Sequence, residues 1–191
     1  MKKIWFVLTA LTLCLMLTFA FVACDETKDD APANASAAEE VRTGKRVYFA
    51  GPMFNQGEKD FNLKVTHVLE AHGYQVFLPQ RDGIEGALLE GKTEEELIEM
   101  IFPLDVKNVQ DADILFMNLD GRVPDEGACV ELGIAYANAK RCYGFKTDTR
   151  AAEQGMDLNP MISGCMLKIF KNYDGDQFLR DLDAYLTTNA L

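Results

Sequence analysis

This sequence predicts a doubly wound α/β fold, in which a parallel sheet carries helices on both faces. Three observations support it. Short apolar runs such as Val47-Tyr-Phe-Ala50 and Ile114-Leu-Phe-Met117 are unbroken rather than alternating, as strands buried on both faces must be. Longer stretches between them repeat apolar residues at helical spacing. Gly and Pro punctuate the junctions, and strands alternating with helices in this way build a parallel sheet.

The chain of 191 residues opens with a segment that does not belong to that fold. Lys2 and Lys3 form a basic start, and Ile4 to Val22 is an almost unbroken apolar run. Ala23-Cys24 follows, and then the polar stretch Asp25 to Asp30. Basic start, apolar core and small-residue junction are the secretory pattern. The cysteine at the junction resembles the lipobox of bacterial lipoproteins, in which it is lipidated and becomes the mature N-terminus; Phe21 stands where Leu is usual. Residues 1–24 are therefore expected to be a lipoprotein-type signal peptide, lipidated on Cys24, with the domain anchored to the cell membrane on its extracytoplasmic side. An uncleaved anchor helix, the run being about long enough to span a bilayer, and a start placed too far upstream are the alternatives. Residues 25–44 are rich in Asp, Glu, Ala, Ser and Pro and lack an apolar period. They cannot bury enough surface to offset ordering entropy, so a disordered tether is expected.

Residues 45–191 supply the elements in turn. Arg46 to Gly51 reads as a buried strand and a Gly-Pro turn. Phe61, Val65, Val68 and Leu69 mark a helix, with Gly73 as its C-cap. Tyr74 to Leu78 is the second strand, stopped by Pro79. Thr93-Glu-Glu-Glu96 has capping-box spacing and opens a helix, and Pro103 is expected to start a new helical segment running to about Gln110. Asp113 to Asn118, Arg141 to Phe145 and Met166 to Phe170 are further strands, with a helix over Glu126 to Lys140. Phe178, Leu182 and Tyr185 line one face of the last helix. Five strands in this arrangement predict the flavodoxin-like order 2-1-3-4-5, with ligands beyond the carboxyl ends of the strands near the switch point.

Composition narrows the function. A domain of about 145 residues can bury a full core, and 48% hydrophobic and 26% charged residues are ordinary for one. A net charge of -11 argues against nucleic-acid binding through phosphate neutralisation. No Gly-x-Gly-x-x-Gly follows the first strand and no Gly-Lys-Ser/Thr loop is present, which disfavours dinucleotide and triphosphate sites. Cys14 lies in the signal segment, and Cys129, Cys142 and Cys165 fit no zinc pattern, so three buried thiols are expected and no metal or cofactor.

The carboxyl edge of the sheet gathers the polar residues. The first strand delivers Tyr48 and then Met53 and Phe54, and the second Gln80-Arg81-Asp82. The third is followed by Asn118, Asp120, Asp125 and Glu131. Asp105, near the start of the segment opened by Pro103, is expected at the same rim. His67 and His72 lie on the first helix, away from this edge, so no Ser-His pair is available. Carboxylates without a metal motif suit glycosyl chemistry, in which one attacks the anomeric carbon and another handles the proton. In so acidic a chain, ordinary surface acids explain the same pattern.

Four blocks in order resemble the nucleoside 2-deoxyribosyltransferase family: Val47-Tyr-Phe-Ala-Gly-Pro-Met-Phe54; Val76-Phe-Leu-Pro-Gln-Arg-Asp-Gly83; Asp105 with Asp111-Ala-Asp-Ile-Leu115; and Pro124-Asp-Glu-Gly-Ala-Cys-Val-Glu-Leu-Gly133. Asn159-Pro-Met-Ile162 is a fifth. The resemblance implies Glu131 as the nucleophile and Asp105 and Asp125 as the acids that hold the base and shuttle its proton. It implies that Tyr48 orients the nucleophile and that Asn159 holds the deoxyribose 5′-hydroxyl. Gln80, Arg81 and Asp82 would face the base, with Met53 and Phe54 divided between core and base-stacking wall. It also implies 2′-deoxynucleosides and free nucleobases as partners, and a homo-oligomer in which a neighbouring subunit completes the pocket, although Thr187 to Leu191 does not match the family's C-terminal pattern. Near a helix N-terminus, Glu131 is expected to stay ionised.

Plainer readings stand beside these. Asp125 can be an N-cap, Tyr48 core filler, Asn159 a turn residue before Pro160, and Cys129 a packing thiol. Two rival functions remain: a 2′-deoxynucleoside 5′-monophosphate N-glycosidase, in which water takes the sugar, and a lipoprotein that binds nucleosides without turning them over.

If Cys24 carries the lipid, Cys24→Ser should leave the chain unprocessed or released from the membrane. Fractionation and the mass of the mature N-terminus read this directly, and unchanged attachment and processing would identify a plain helix anchor instead.

Overall fold

In the computed structural model, which describes residues 44–84, 88–150 and 155–191, the apolar runs form five strands. These are β1 (Arg46–Ala50), β2 (Gln75–Phe77), β3 (Ile114–Asn118), β4 (Arg141–Lys146) and β5 (Lys168–Lys171). All pair in parallel, in the order β2-β1-β3-β4-β5, which is the predicted flavodoxin-like arrangement. The helices are α1 (Gln56–Ala71), α2 (Pro79–Asp82), α3 (Glu94–Asp111), α4 (Glu126–Ala137), α5 (Pro160–Cys165) and α6 (Gly175–Thr188). The signal segment, most of the tether, and Cys24 lie outside the described residues.

Strand parity sorts the core into two halves. Val47, Phe49, Ile114, Phe116 and Phe145 face α1 and α6, packing on Val65, Leu69, Phe178 and Leu182. Tyr48, Ala50, Leu115, Met117 and Cys142 face the other way, onto Val109 of α3 and Ala128, Leu132 and Ala135 of α4. The period of two along each strand does this, since successive side chains leave opposite faces. Aromatic rings tie the first half together, with Phe145 stacked on Phe178 at 4.8 Å.

Local signals set the helix ends. Asn55 and Thr93 each close a capping box on α1 and α3. Gly73, at φ 87, takes the left-handed position after α1. Gly51 is required for a different reason. A Cβ there would meet Asn118 Cβ at 2.7 Å, so only glycine lets the ends of β1 and β3 come this close.

The structure corrects five expectations. Pro79 stops β2 but also opens α2, so Gln80, Arg81 and Asp82 lie on a short helix rather than in a loop. Pro103 does not begin a helix, because α3 runs through it from Glu94 to Asp111. Proline's fixed φ is already helical, and the chain continues with one backbone hydrogen bond fewer. Asp105 therefore sits well inside α3 rather than near a helix start. The Asn159-Pro160 pair opens a helix of its own, α5, with Asn159 capping it through Met161 N at 2.9 Å. Of the domain thiols only Cys142 is buried, while Cys129 and Cys165 are partly exposed.

Candidate active site

Tyr48 is fully buried in the middle of β1, on the α3/α4 side of the sheet. Its hydroxyl donates to Glu131 Oε1 at 2.7 Å, and Asp105 of α3 lies beside the same phenol. Burial, then the charge and hydrogen bond of Glu131, then Asp105, push the phenol far above its ordinary range, so it remains a donor.

Glu131 does not behave as its place in the sequence predicts. It is the sixth residue of α4, past the first turn where the helix dipole acts. Burial is the largest influence and raises its carboxyl to about 7; the Tyr48 hydroxyl opposes this, and the charges of Asp105 and Asp125 add to it. Asp105 is raised as well, by burial, against the hydrogen bond from Tyr48. Asp125 caps α4 by accepting from Ala128 N at 2.8 Å, and it still faces the cavity.

These groups meet in a cavity of about 180 Å³ at the carboxyl edge of the sheet. Met53, Asn62, Gln80, Asp105, Asp125 and Glu131 line it. On the other side of Asp105 and Glu131 lies an apolar groove of about 460 Å³ between α3 and α4, with Ile98, Ile101, Phe102 and Val130 exposed along it.

Other expected residues go elsewhere. Arg81 does not face the cavity; it donates to Val76 O at 2.8 Å and pairs with Glu70 and Asp82. Asp82 accepts from Leu78 N at 2.8 Å. Both are committed to holding α2 against β2, because a four-residue helix needs its exposed ends satisfied. Phe54, 77% exposed, borders a neighbouring depression rather than the cavity. Asn159 is not among the described lining residues. Asp120, expected at the rim, accepts from Thr147 N, Thr147 Oγ1 and Asp148 N and so ties the end of β3 to the end of β4.

Asn62 was missed. Its signal was a polar residue on the buried stripe of α1, in register with Val65, Thr66 and Leu69. Among the described residues no cluster of His, Cys, Asp and Glu is arranged to hold a metal ion.

The fold is thus a flavodoxin-like α/β sheet with a carboxylate site at its carboxyl edge. The sequence profile of the family described as nucleoside 2-deoxyribosyltransferase matches residues 47–174, and the chain belongs to that family. Among solved structures, a conserved protein from Enterococcus faecalis V583 is similar, with 23% identity, a TM-score of 0.59, and coverage of 74% of this chain and 99% of that one. The 2-deoxyribosyltransferase of Bacillus psychrosaccharolyticus gives 24% identity and a TM-score of 0.58, over 76% of this chain and 98% of that one. The CMP N-glycosidase of Clostridium botulinum gives 17% identity and a TM-score of 0.51, over 74% and 99%. At these identities the likeness shows the fold. No curated protein matches the sequence.

The elevated carboxyl has a stability consequence. In the unfolded chain Glu131 takes its ordinary 4.5, while in the fold it takes about 7. The folded state therefore binds the extra proton between those values, and stability is lost as pH rises through that window. Glu131→Gln should match the wild type in thermal melts below pH 4.5 and exceed it by a margin that grows to pH 7 and then levels off. The margin should reach at most about 3.5 kcal/mol, at about 1.4 kcal/mol per tenfold change in proton affinity. A pH-independent difference would show that burial does not control this carboxyl.

Proposed function

We propose that the domain transfers 2-deoxyribose between purine or pyrimidine bases through a covalent deoxyribosyl–Glu131 intermediate. The observation that carries this reading is the buried Tyr48 hydroxyl held on Glu131 Oε1 at 2.7 Å, in a cavity shared with Asp105 and Asp125. With one oxygen held, the other is left to form the bond to C1′. As that bond forms, the C1′–N bond breaks, and a carboxyl of Asp105 or Asp125 protonates the departing base. The burial that raises Asp105 keeps such a proton available. A second base then attacks C1′, giving its N–H proton to the carboxylate that protonated the first, and the Glu131 ester opens; two inversions give net retention. A 2′-deoxy sugar suits this route, because no electronegative 2′-hydroxyl opposes the oxocarbenium-like transition state.

No described residue lining the cavity is cationic, and Arg81 is engaged elsewhere, which favours free nucleosides over 5′-phosphates. The N-glycosidase reading differs in taking a 5′-monophosphate and in letting water open the ester. We further propose lipid anchoring through Cys24 outside the cytoplasmic membrane. The domain would also assemble as a homo-oligomer, a second copy covering the apolar groove between α3 and α4. That groove and the cavity share Asp105, Gly127 and Glu131 in their walls, which supports this assembly, and Asn159, not among the described residues lining its own chain's cavity, would then serve a neighbouring copy.

Glu131→Ala should abolish exchange, and Asp105→Asn and Asp125→Asn should slow it by about 10²–10⁴-fold. Mass spectrometry of acid-quenched wild type should find the deoxyribosyl group on the Glu131 peptide; an adduct elsewhere sinks the assignment. A comparison of kcat/KM for deoxyadenosine, adenosine and deoxyadenosine monophosphate, with and without an acceptor base, should place deoxyadenosine first. Preference for the monophosphate, with free sugar phosphate as product, establishes the N-glycosidase instead.

A further inference from the structure

Along one wall of the cavity runs a line of side-chain amides that the proposed chemistry does not use. Asn62 and Asn118 are 1% and 2% exposed. Asn62 Nδ2 donates to Pro52 O at 2.8 Å and to Gln80 Oε1 at 3.2 Å, and its Oδ1 accepts from Asn118 Nδ2 at 3.0 Å. Gln80 Nε2 donates to Lys59 O at 2.9 Å, and Asn118 Oδ1 accepts from Asp120 N at 2.9 Å.

Backbone groups give this line a fixed direction. Pro52 O and Lys59 O can only accept, and Asp120 N can only donate. Each of the three side-chain amides is therefore held one way round, and reversing any one sets like against like. Gln80 lines the cavity next to Met53, with one N–H and one oxygen lone pair left over. A freely rotating amide satisfies either pattern of ligand donors and acceptors. One held at both ends satisfies only one, and the mismatched ligand leaves buried polar groups unpaired.

We propose that Asn62 is a positioning residue that, together with Lys59 O, holds the Gln80 amide in one orientation and so determines which nucleobase edge the cavity accepts. The proposal rests on the nucleobase reading given above. Asn62 also lines the cavity, but both of its N–H groups and one lone pair are taken by Pro52 O, Gln80 Oε1 and Asn118 Nδ2, so it acts on the base edge through Gln80. Its bond to Pro52 O also holds the turn that carries Met53, so one side chain sets two parts of the same wall.

Adenine and hypoxanthine test this, because their edges are opposed: an amino donor beside a ring acceptor against a carbonyl acceptor beside an N–H donor. The ratio of kcat/KM for deoxyadenosine and deoxyinosine is measured in wild type, Asn62→Leu, Gln80→Ala and the double variant. Calorimetric binding of the two free bases and a thermal melt are run in parallel. The wild type should discriminate, and each single variant should shrink the ratio by about tenfold or more, the scale of one well-made base contact. In the double variant the ratio should fall no further than in Gln80→Ala, since Met53, the other part of the wall that Asn62 holds, carries no group that tells a donor edge from an acceptor edge. An undiscriminating wild type, an Asn62→Leu that melts lower with its ratio intact, or equal losses with and without Gln80 overturns the proposal. If Asn62→Leu gives no cooperative melt, Asn62→Ser replaces it under the same criteria. If the wild type turns over no 2′-deoxynucleoside, the functional reading has failed. Binding then decides the positioning: unequal affinities equalised by the Asn62 variant support it, and equal or absent binding refutes it.

Discussion

The hydrogen bond from Tyr48 to Glu131 is the interaction around which the rest of the site is arranged. It joins the central strand pair of the sheet to α4, and it needs both side chains on the same face. That face is settled by parity: Val47 and Phe49 point toward α1 and α6, so Tyr48 must point toward α3 and α4. A one-residue slip in the register of β1 would bury the phenol in the aromatic half and leave Glu131 without its partner. The register is fixed on both sides, Tyr48 lying opposite Phe77 of β2 and Leu115 of β3.

The bond sits among groups that raise its electrostatic cost. Glu131 shares its surroundings with Asp105 and Asp125, and burial lifts its carboxyl to about 7. A carboxyl placed to help the fold would be drawn down by a cation, as Asp148 is held well below the usual carboxylate range by Arg150. No described cation lines the cavity around Glu131, and the hydrogen bond from the Tyr48 phenol is what opposes the effect of its burial. Buried carboxyls perturbed in this way are concentrated at sites of chemistry, which supports the role proposed for Glu131.

The neutral side of the cavity is organised differently. There the polar groups are amides, oriented by backbone carbonyls and one backbone N–H, and they run from α2 through α1 to the end of β3. Asp120 carries the connection on to Thr147 and Asp148 at the end of β4. The segments after β1, β2, β3 and β4 are thus joined by hydrogen bonds below the cavity, which keeps the carboxyl edge from depending on apolar packing alone.

The sequence by itself determined the sheet. Unbroken apolar runs, capping boxes and Gly-Pro punctuation are local, and each needs only a few neighbouring residues to be read. It also determined which residues the strands carry, Tyr48 on β1 above all, because a strand carries its residues in a straight line. Local pattern was a poor guide where helices were concerned. Pro103 looked like a helix start, yet α3 passes through it, because a single missing hydrogen bond does not outweigh a helix packed on the sheet. Arg81 and Asp82 lay next to the right strand but turned to hold α2, since which way a helix faces is settled by its packing. Asn62 and the raised carboxyl of Glu131 were decided only by tertiary structure. Burial and hydrogen-bond partners belong to residues far apart in the chain, and they come into being only when α1, α3 and α4 close on the sheet.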